Sequence, residues 1–130
     1  MEAQRFFHVA LKVEDLEDGM SFYGDVLDGE LIARESAGER ASDVAYAAFR
    51  LADKRIYLFE EAPYEAAGLV EPLPTGVLHV GFVVPDVDAA YESLRADGVP
   101  FFMKPTDFGS LRICFFSDPD GVRIELLEER

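Results

Sequence analysis

The chain has few of the residues that mark secreted, membrane-spanning or nucleic-acid-binding proteins. It carries one cysteine in 130 residues, Cys114. No internal disulfide can therefore form, and we expect a reducing, cytoplasmic location for the protein and a buried, inert thiol. No apolar run approaches the roughly 20 residues that span a bilayer. We expect no secretory leader, because the charged first residues lead directly into a strand.

Positive charge is also scarce. Lysine and arginine together number 12 against 26 acidic residues, which gives a formal net charge of −14. Such a chain repels phosphate-rich surfaces, so we expect neither nucleic acid nor an anionic membrane as a partner. Hydrophobic residues make up 49% of the chain, which is enough for a packed core.

The chain contains an internal repeat. Residues 7–15 (FHVALKVED) return as residues 78–86 (LHVGFVVPD), and each copy is an apolar segment with one histidine, followed by an acidic helix start. Residues 55–61 (RIYLFEE) return as residues 123–129 (RIELLEE). The repeat predicts two half-domains of similar size.

Periodicity predicts that each half follows the order β-α-β-β-β. The first module covers residues 1–62, a loop-like linker rich in proline and glycine covers 63–76, and the second module covers 77–130; together they form one domain. The helices begin at Asp15 and Asp86 and end at Gly29 and Gly98. The predicted strands cover residues 6–13, 30–34, 44–51, 55–59, 77–84, 101–104, 111–116 and 122–127. The predicted turns include residues 35–42 and 117–121.

The repeat gives equivalent positions to His8 and His79, and to Tyr57 and Glu125. Two imidazoles and a carboxylate in apolar strands are a candidate metal site, and three ligands leave positions open for substrate. The alternative for each histidine is a hydrogen-bonded core residue, which is the more common role of a lone histidine in a strand. The alternative for Glu125 is an ordinary acidic side chain on a solvent-exposed face of the sheet.

The fourth position of the candidate site is assigned to Tyr57 rather than Glu60. Residues 57 and 60 have opposite parity on one strand, so both side chains reach the same face only if the strand contains a bulge. The Tyr57 phenol is then a hydrogen-bonding group for the substrate or for a metal-bound ligand, and its alternative role is a core aromatic.

On these residues the chain resembles the vicinal oxygen chelate superfamily, which includes glyoxalases, bleomycin-resistance proteins and extradiol dioxygenases. The resemblance covers nearly the whole length. It rests on segments 7–13, 22–29, 78–86 and 118–126. It implies an α+β fold in which two βαβββ modules form a cupped, mixed eight-stranded sheet around a metal.

The resemblance also implies that His8, His79 and Glu125 are metal ligands, and that the protein is an enzyme for a small substrate and a homodimer. Fe(II) or Mn(II) is the favoured divalent ion, with Zn, Ni or Co as the alternatives. The positions of four aromatic residues in the hairpins suggest a pocket wall, with plain core as the alternative for each: Tyr46, Phe49, Phe102 and Phe115.

Three activities remain open within this family. Dioxygenase-type chemistry is placed first, because the His, His, Glu set is intact and the fourth position of the candidate site carries no carboxylate. Yet Phe115 stands where ring-cleaving members carry a tyrosine. An isomerase or lyase of the lactoylglutathione lyase kind is the second reading. Tyr57 stands in place of that group's glutamate, and this activity would recruit Glu60 through a bulge. A protein that only sequesters a drug or other ligand is the third.

Overall fold

The predicted α+β class is confirmed by a computed structural model of the chain, which describes residues 1–37, 44–117 and 121–130. These residues form eight strands of one mixed sheet together with few helices. The strands are β1 Arg5–Lys12, β2 Glu30–Ala37, β3 Val44–Leu51, β4 Lys54–Phe59, β5 Gly76–Val83, β6 Phe101–Phe108, β7 Leu111–Ser117 and β8 Arg123–Glu129. The α-helices are α1 Leu16–Met20, α2 Pro63–Ala66 and α3 Val87–Ala96.

The chain divides into two compact units. The first unit is His8–Leu78, and the second unit combines Met1–Phe7 with His79–Arg130. The N-terminal residues therefore belong with the C-terminal half: the Gln4 amide donates to the Val83 carbonyl at 2.8 Å, and the Phe6 ring meets the Phe82 ring edge-on.

In the first unit the strand order is β2-β3-β4-β1. Strand β1 runs parallel to β4, and both pairings of β3 are antiparallel. One face of these strands is covered by α1, and the core on that side contains Leu16, Ala47, Phe49 and Leu58. Because side chains alternate along a strand, the residues between these positions point to the opposite face.

The first helix ends differently from the prediction. Helix α1 passes into a π-helical segment, Ser21–Val26, and the positive φ of 58° falls on Asp28 rather than on Gly29. Gly29 is needed for space instead, because a Cβ there would lie 2.6 Å from the Tyr23 carbonyl oxygen.

In the second unit the strand order is β5-β8-β7-β6, with β5 parallel to β8. The Asp86 carboxylate caps α3 by accepting from the Ala89 amide at 3.0 Å, as the sequence predicts. Gly98, with φ of 88°, follows the helix end, also as predicted. The core beneath α3 contains Val84, Val87, Ala90, Cys114 and Leu126.

Several boundaries differ from the sequence prediction. Strands β2 and β6 extend to Ala37 and Phe108, beyond the predicted ends at 34 and 104. The predicted linker contains the short helix α2. The predicted turns at 35–42 and 117–121 fall partly outside the described residues, at 38–42 and 118–120. Among the described helices, none combines the length and the apolar character that a membrane span requires.

Candidate metal centre and active site

His79 and Glu125 meet inside the second unit. The His79 Nε2 atom lies 3.4 Å from Glu125 Oε1, and the two residues are only 5% and 7% exposed. They come from the parallel strands β5 and β8, where Gly81 pairs with Glu125. The next residue, Leu126, packs beneath α3, so Glu125 points to the face away from that helix. A buried carboxylate needs a compensating partner, which this imidazole or a shared cation can supply.

The His79–Glu125 geometry is compatible with a shared divalent ion. Two metal–ligand bonds of about 2.1 Å place their donor atoms about 3.4 Å apart when the angle at the metal is near tetrahedral. The observed separation of 3.4 Å agrees with this. Imidazole nitrogen and carboxylate oxygen are also donors that Zn, Fe, Mn and Ni accept. The pair therefore fits a divalent metal.

Aromatic rings flank His79 on the same face. Phe115 lies directly across the β7–β8 ladder from Glu125, and its ring meets the His79 ring edge-on with centroids 5.0 Å apart. The Phe102 ring stacks on Phe115 at 5.4 Å. Phe102 and Phe115, both predicted from sequence as pocket residues, are therefore located beside the metal-compatible pair.

The first unit arranges His8 in a similar way. Its imidazole is 4% exposed and lies 4.8 Å from the Tyr57 ring, centroid to centroid. Tyr46 stacks on Tyr57 at 5.7 Å with an interplanar angle of 9°. The Tyr46 hydroxyl donates to Glu35 Oε1 at 2.6 Å. Burial and this carboxylate raise the pKa of Tyr46 well above its usual value, so its phenol stays protonated.

The strand registers confirm that Tyr57 and Glu125 are equivalent. In the first unit Tyr57 pairs with Ala10, two residues after His8. In the second unit Glu125 pairs with Gly81, two residues after His79. Each histidine therefore lies two residues before the strand position that pairs with Tyr57 or Glu125. The Tyr57 phenol in the first unit occupies the position that the Glu125 carboxylate occupies in the second.

Glu60 has a structural role. It follows the last residue of β4, and its Oε2 atom accepts a hydrogen bond from the Leu16 backbone N–H at 2.8 Å. The pairing of β3 with β4 runs in regular register through Tyr57. The bulge that would turn Glu60 toward the face of Tyr57 is therefore missing from this described ladder.

The prediction of Phe49 as a pocket wall is corrected by its position. Phe49 is 2% exposed and packs with Leu16 and Leu58 beneath α1. Tyr46 and Phe49 are an odd number of residues apart on β3, so their side chains point to opposite faces. Phe49 therefore belongs to the helix-side core.

Three charged residues near these positions were missed by the sequence analysis. The Arg123 guanidinium lies over the Phe102 ring, 5.9 Å from its centroid. Arg123 is two residues from Glu125 on β8, and this spacing could have placed both side chains on the same face. The partly buried Lys12 pairs with the buried Glu65 in the first unit, with Nζ and Oε2 3.3 Å apart. Nothing in the linker composition predicted a buried carboxylate at residue 65.

Cys114 is fully buried, as predicted. Burial raises the pKa of its thiol to about 12, and the nearby Glu125 and Asp88 carboxylates act in the same direction. A thiol with such a pKa is almost entirely protonated at neutral pH and is a poor nucleophile. Cys114 therefore takes no part in the candidate site.

Comparison with known proteins agrees with this architecture. A family model described as Glyoxalase/Bleomycin resistance protein/Dioxygenase superfamily matches residues 5–126. A lactoylglutathione lyase of Escherichia coli O157:H7 is 29% identical over 128 residues, covering 97% of this chain and 93% of the relative. One from Pseudomonas aeruginosa is 28% identical over 144 residues, covering 95% and 81%.

A solved structure has the same fold. Methylmalonyl-CoA epimerase from Mycobacterium tuberculosis superimposes with a TM-score of 0.79 at 24% identity, covering 98% of this chain and 89% of that one.

Proposed function

The chain belongs to the glyoxalase/bleomycin resistance/dioxygenase superfamily, and on that premise we propose that it is a metal-dependent enzyme for a small substrate that chelates through two oxygens. One observation carries the proposal: His79 Nε2 and Glu125 Oε1 are buried together at a separation of 3.4 Å that suits a shared divalent ion. Its enzyme relatives support catalysis rather than ligand storage.

The proposed ligands are His79, Glu125 and His8. His8 is included because it holds in its own unit the position that His79 holds in the other, and because its side chain is equally buried. Each His79–Glu125 pair requires one His8, supplied by the same chain or by a second copy in a homodimer. The bound ion would supply Lewis-acid polarisation of the two substrate oxygens.

Proton transfer of the isomerase or lyase type is the reaction that we propose first. The lactoylglutathione lyases among its relatives support this order, which reverses the order suggested by the ligand set alone. In this reaction the Glu125 carboxylate takes a proton from a substrate carbon and returns it to the neighbouring atom. Tyr57 donates a hydrogen bond from its phenol to the substrate oxygen on which negative charge develops. Phe102 and Phe115 exclude water from the reacting carbon.

A dioxygenase is the second candidate. The observation that favours it is Tyr57, which holds in the first unit the position that Glu125 holds in the second. The proposed site therefore contains two histidines and a single carboxylate, which is the ligand set of the dioxygenase-type members. Uptake of O₂ in the presence of catechols would distinguish this activity from thioester formation, which can be followed with a 2-oxoaldehyde and glutathione.

Elemental analysis tests the proposal. The protein is purified without chelators and without an affinity-tag metal, beside the variants His79→Ala and Glu125→Ala. We expect a near-stoichiometric divalent metal in the wild type and its loss in both variants, with the fold preserved. Wild-type protein that binds no metal, including after incubation with Fe(II), Mn(II), Zn(II), Ni(II) or Co(II), would reject the metalloenzyme and leave a ligand-sequestering protein. Metal content unchanged by Glu125→Ala would reject the ligand assignment.

A further inference from the structure

Tyr57 lies between two aromatic rings in the first unit. Its partners on the neighbouring strands are Ala10 of β1 and Ala48 of β3, and both alanines are fully buried. Because alanine is small, the rings of His8 and Tyr46, each two residues before its alanine, reach the space on either side of Tyr57. The His8 ring lies 4.8 Å from the Tyr57 ring, and the Tyr46 ring lies 5.7 Å from it on the β3 side.

Tyr46 is itself held on its remaining sides. Phe59 is its direct partner on β4, and the two rings lie 5.6 Å apart with an interplanar angle of 30°. Glu35 is its direct partner on β2 and accepts the hydrogen bond from its hydroxyl at 2.6 Å. A side chain that is packed on two rings and hydrogen-bonded at its tip has its rotamer locked. Tyr46 is therefore a fixed support for the Tyr57 ring.

The second unit repeats this order of rings. The Phe115 ring contacts the His79 ring at 5.0 Å, and the Phe102 ring stacks on Phe115 at 5.4 Å. In both units a buried histidine contacts one aromatic ring, and a second ring stacks on the first. Different strands supply the ring that contacts the histidine, since Phe115 lies on β7 and Tyr57 lies on β4. The recurrence with different residues indicates that the second ring serves the histidine.

We propose that Tyr46 is a positioning residue for the metal centre: through the Tyr57 ring it holds the His8 imidazole in the orientation that binds the ion. The inference rests on the proposed function, because it takes His8 as a metal ligand. Removing a group that orients a ligand histidine typically weakens metal binding by about 10- to 100-fold. Tyr46 acts through one intervening ring, so we expect the lower end of this range.

Metal affinity tests this role without a known substrate. The dissociation constant for Co(II) is measured on metal-depleted protein by competition with a chromophoric chelator. The visible absorption of the bound Co(II) follows its ligand geometry. We expect Tyr46→Leu to raise the dissociation constant about ten-fold and to change the absorption spectrum. Tyr46→Phe keeps the stacked ring and should retain most of the wild-type affinity.

Tyr91→Leu is the matched control. Tyr91 is a partly buried tyrosine of the second unit, and its ring meets Phe101 edge-on at 4.7 Å against the helix-side core. We expect this variant to lower the free energy of unfolding, as Tyr46→Leu does, while the Co(II) dissociation constant and spectrum stay at their wild-type values. A general loss of stability is thereby separated from a change at the metal.

A double variant tests whether the effect passes through Tyr57. Tyr57→Leu alone should weaken Co(II) binding, because it removes the ring against His8. Adding Tyr46→Leu should weaken it no further, since the ring that Tyr46 supports is already gone. An additive loss in the double variant would overturn the proposed route.

Three results with the single variants would also overturn the role of Tyr46: wild-type Co(II) binding in Tyr46→Leu, an equal loss in Tyr91→Leu, or a loss in Tyr46→Phe as large as in Tyr46→Leu. Tyr46→Met replaces the leucine variant if that variant does not fold. Wild type that binds no Co(II) would instead reject the metalloenzyme of the proposed function. Co(II) binding that survives His8→Ala unchanged would reject His8 as a ligand, and the role of Tyr46 with it.

Discussion

Glu60 and Glu128 make the same contact in the two units. Glu60 Oε2 accepts from the Leu16 amide at 2.8 Å, and Glu128 Oε1 accepts from the Val87 amide at 2.9 Å. Each carboxylate therefore satisfies an amide at the start of its unit's helix, where the helix dipole also favours negative charge. The repeat thus preserves a helix-start contact as well as the histidine positions.

Replacing either glutamate should destabilise the protein without affecting metal. We expect Glu60→Ala and Glu128→Ala each to lower the free energy of unfolding by about 1 kcal/mol, since each leaves a helix-start amide without its carboxylate. Urea denaturation measures the loss, and elemental analysis measures the metal. The exposed Glu61, replaced by glutamine, is the control for loss of charge. Loss of metal in Glu60→Ala would show that Glu60 is a ligand after all.

Tyr57→Phe should separate catalysis from metal binding. We expect an unchanged metal content and a fall in kcat/KM of about 10- to 100-fold, because the variant removes one hydrogen bond to developing negative charge and keeps the ring against His8. The control is Tyr91→Phe, on the helix side of the second unit. An equal loss of metal in Tyr57→Phe would mean instead that the phenol oxygen is a ligand.

The β3–β4 turn stores strain that glycine should release. Ala52 has φ of 54° in a two-residue turn between Leu51 and Lys54, a conformation that costs a residue with a Cβ more than it costs glycine. We expect Ala52→Gly to raise the free energy of unfolding by about 0.5 kcal/mol. Thermal denaturation measures the change. Ala45→Gly, at an exposed position of β3 with an ordinary backbone, should lower stability; a decrease in both variants would contradict the strain.

The Lys12–Glu65 pair should make the free energy of unfolding depend on pH in the acid range. Burial alone would raise the pKa of Glu65, but hydrogen bonds from the amides of Ala62 and Leu73 and the Lys12 ammonium outweigh it and lower this pKa below its ordinary 4.5. A lowered pKa in the folded state means that the stabilisation is present above the unfolded pKa and is lost as the pH falls through the folded pKa.

Glu65→Gln should therefore cost about 2 kcal/mol at neutral pH, because it removes the charged acceptor of the Lys12 ammonium and of two backbone amides. The difference from wild type should shrink as the pH falls below 4.5. Urea denaturation at pH 7 and at pH 3 measures both values. A difference that is independent of pH would show that the charge on Glu65 is not the source of the stability.

Local patterns predicted most elements, and the failures have physical causes. The repeat predicted the equivalence of Tyr57 and Glu125, because register follows from alternation. The prediction for β6 stopped before Pro105, yet the strand continues to Phe108; β6 is last in the strand order, and an edge strand tolerates a residue without an N–H. The π-helical segment has no sequence signature that distinguishes it from an α-helix.

The candidate site was predictable where parity and the repeat applied. Strand parity alone would have placed Phe49 away from Tyr46 and Arg123 beside Glu125. The Lys12–Glu65 pair was not predictable, because it depends on how residues 63–76 fold back on the end of β1, and a proline-rich segment carries no periodicity to show this.

The assignment of Met1–Phe7 to the unit of His79–Arg130 has a consequence for dividing the protein. A cut in the segment 63–76 looks natural from the repeat, but it would leave one fragment carrying seven residues whose contacts lie in the other. The N-terminal fragment would carry residues of the other unit, and the C-terminal fragment would be incomplete. A clean division requires the first seven residues to be joined to the C-terminal piece, as a circularly permuted gene would do.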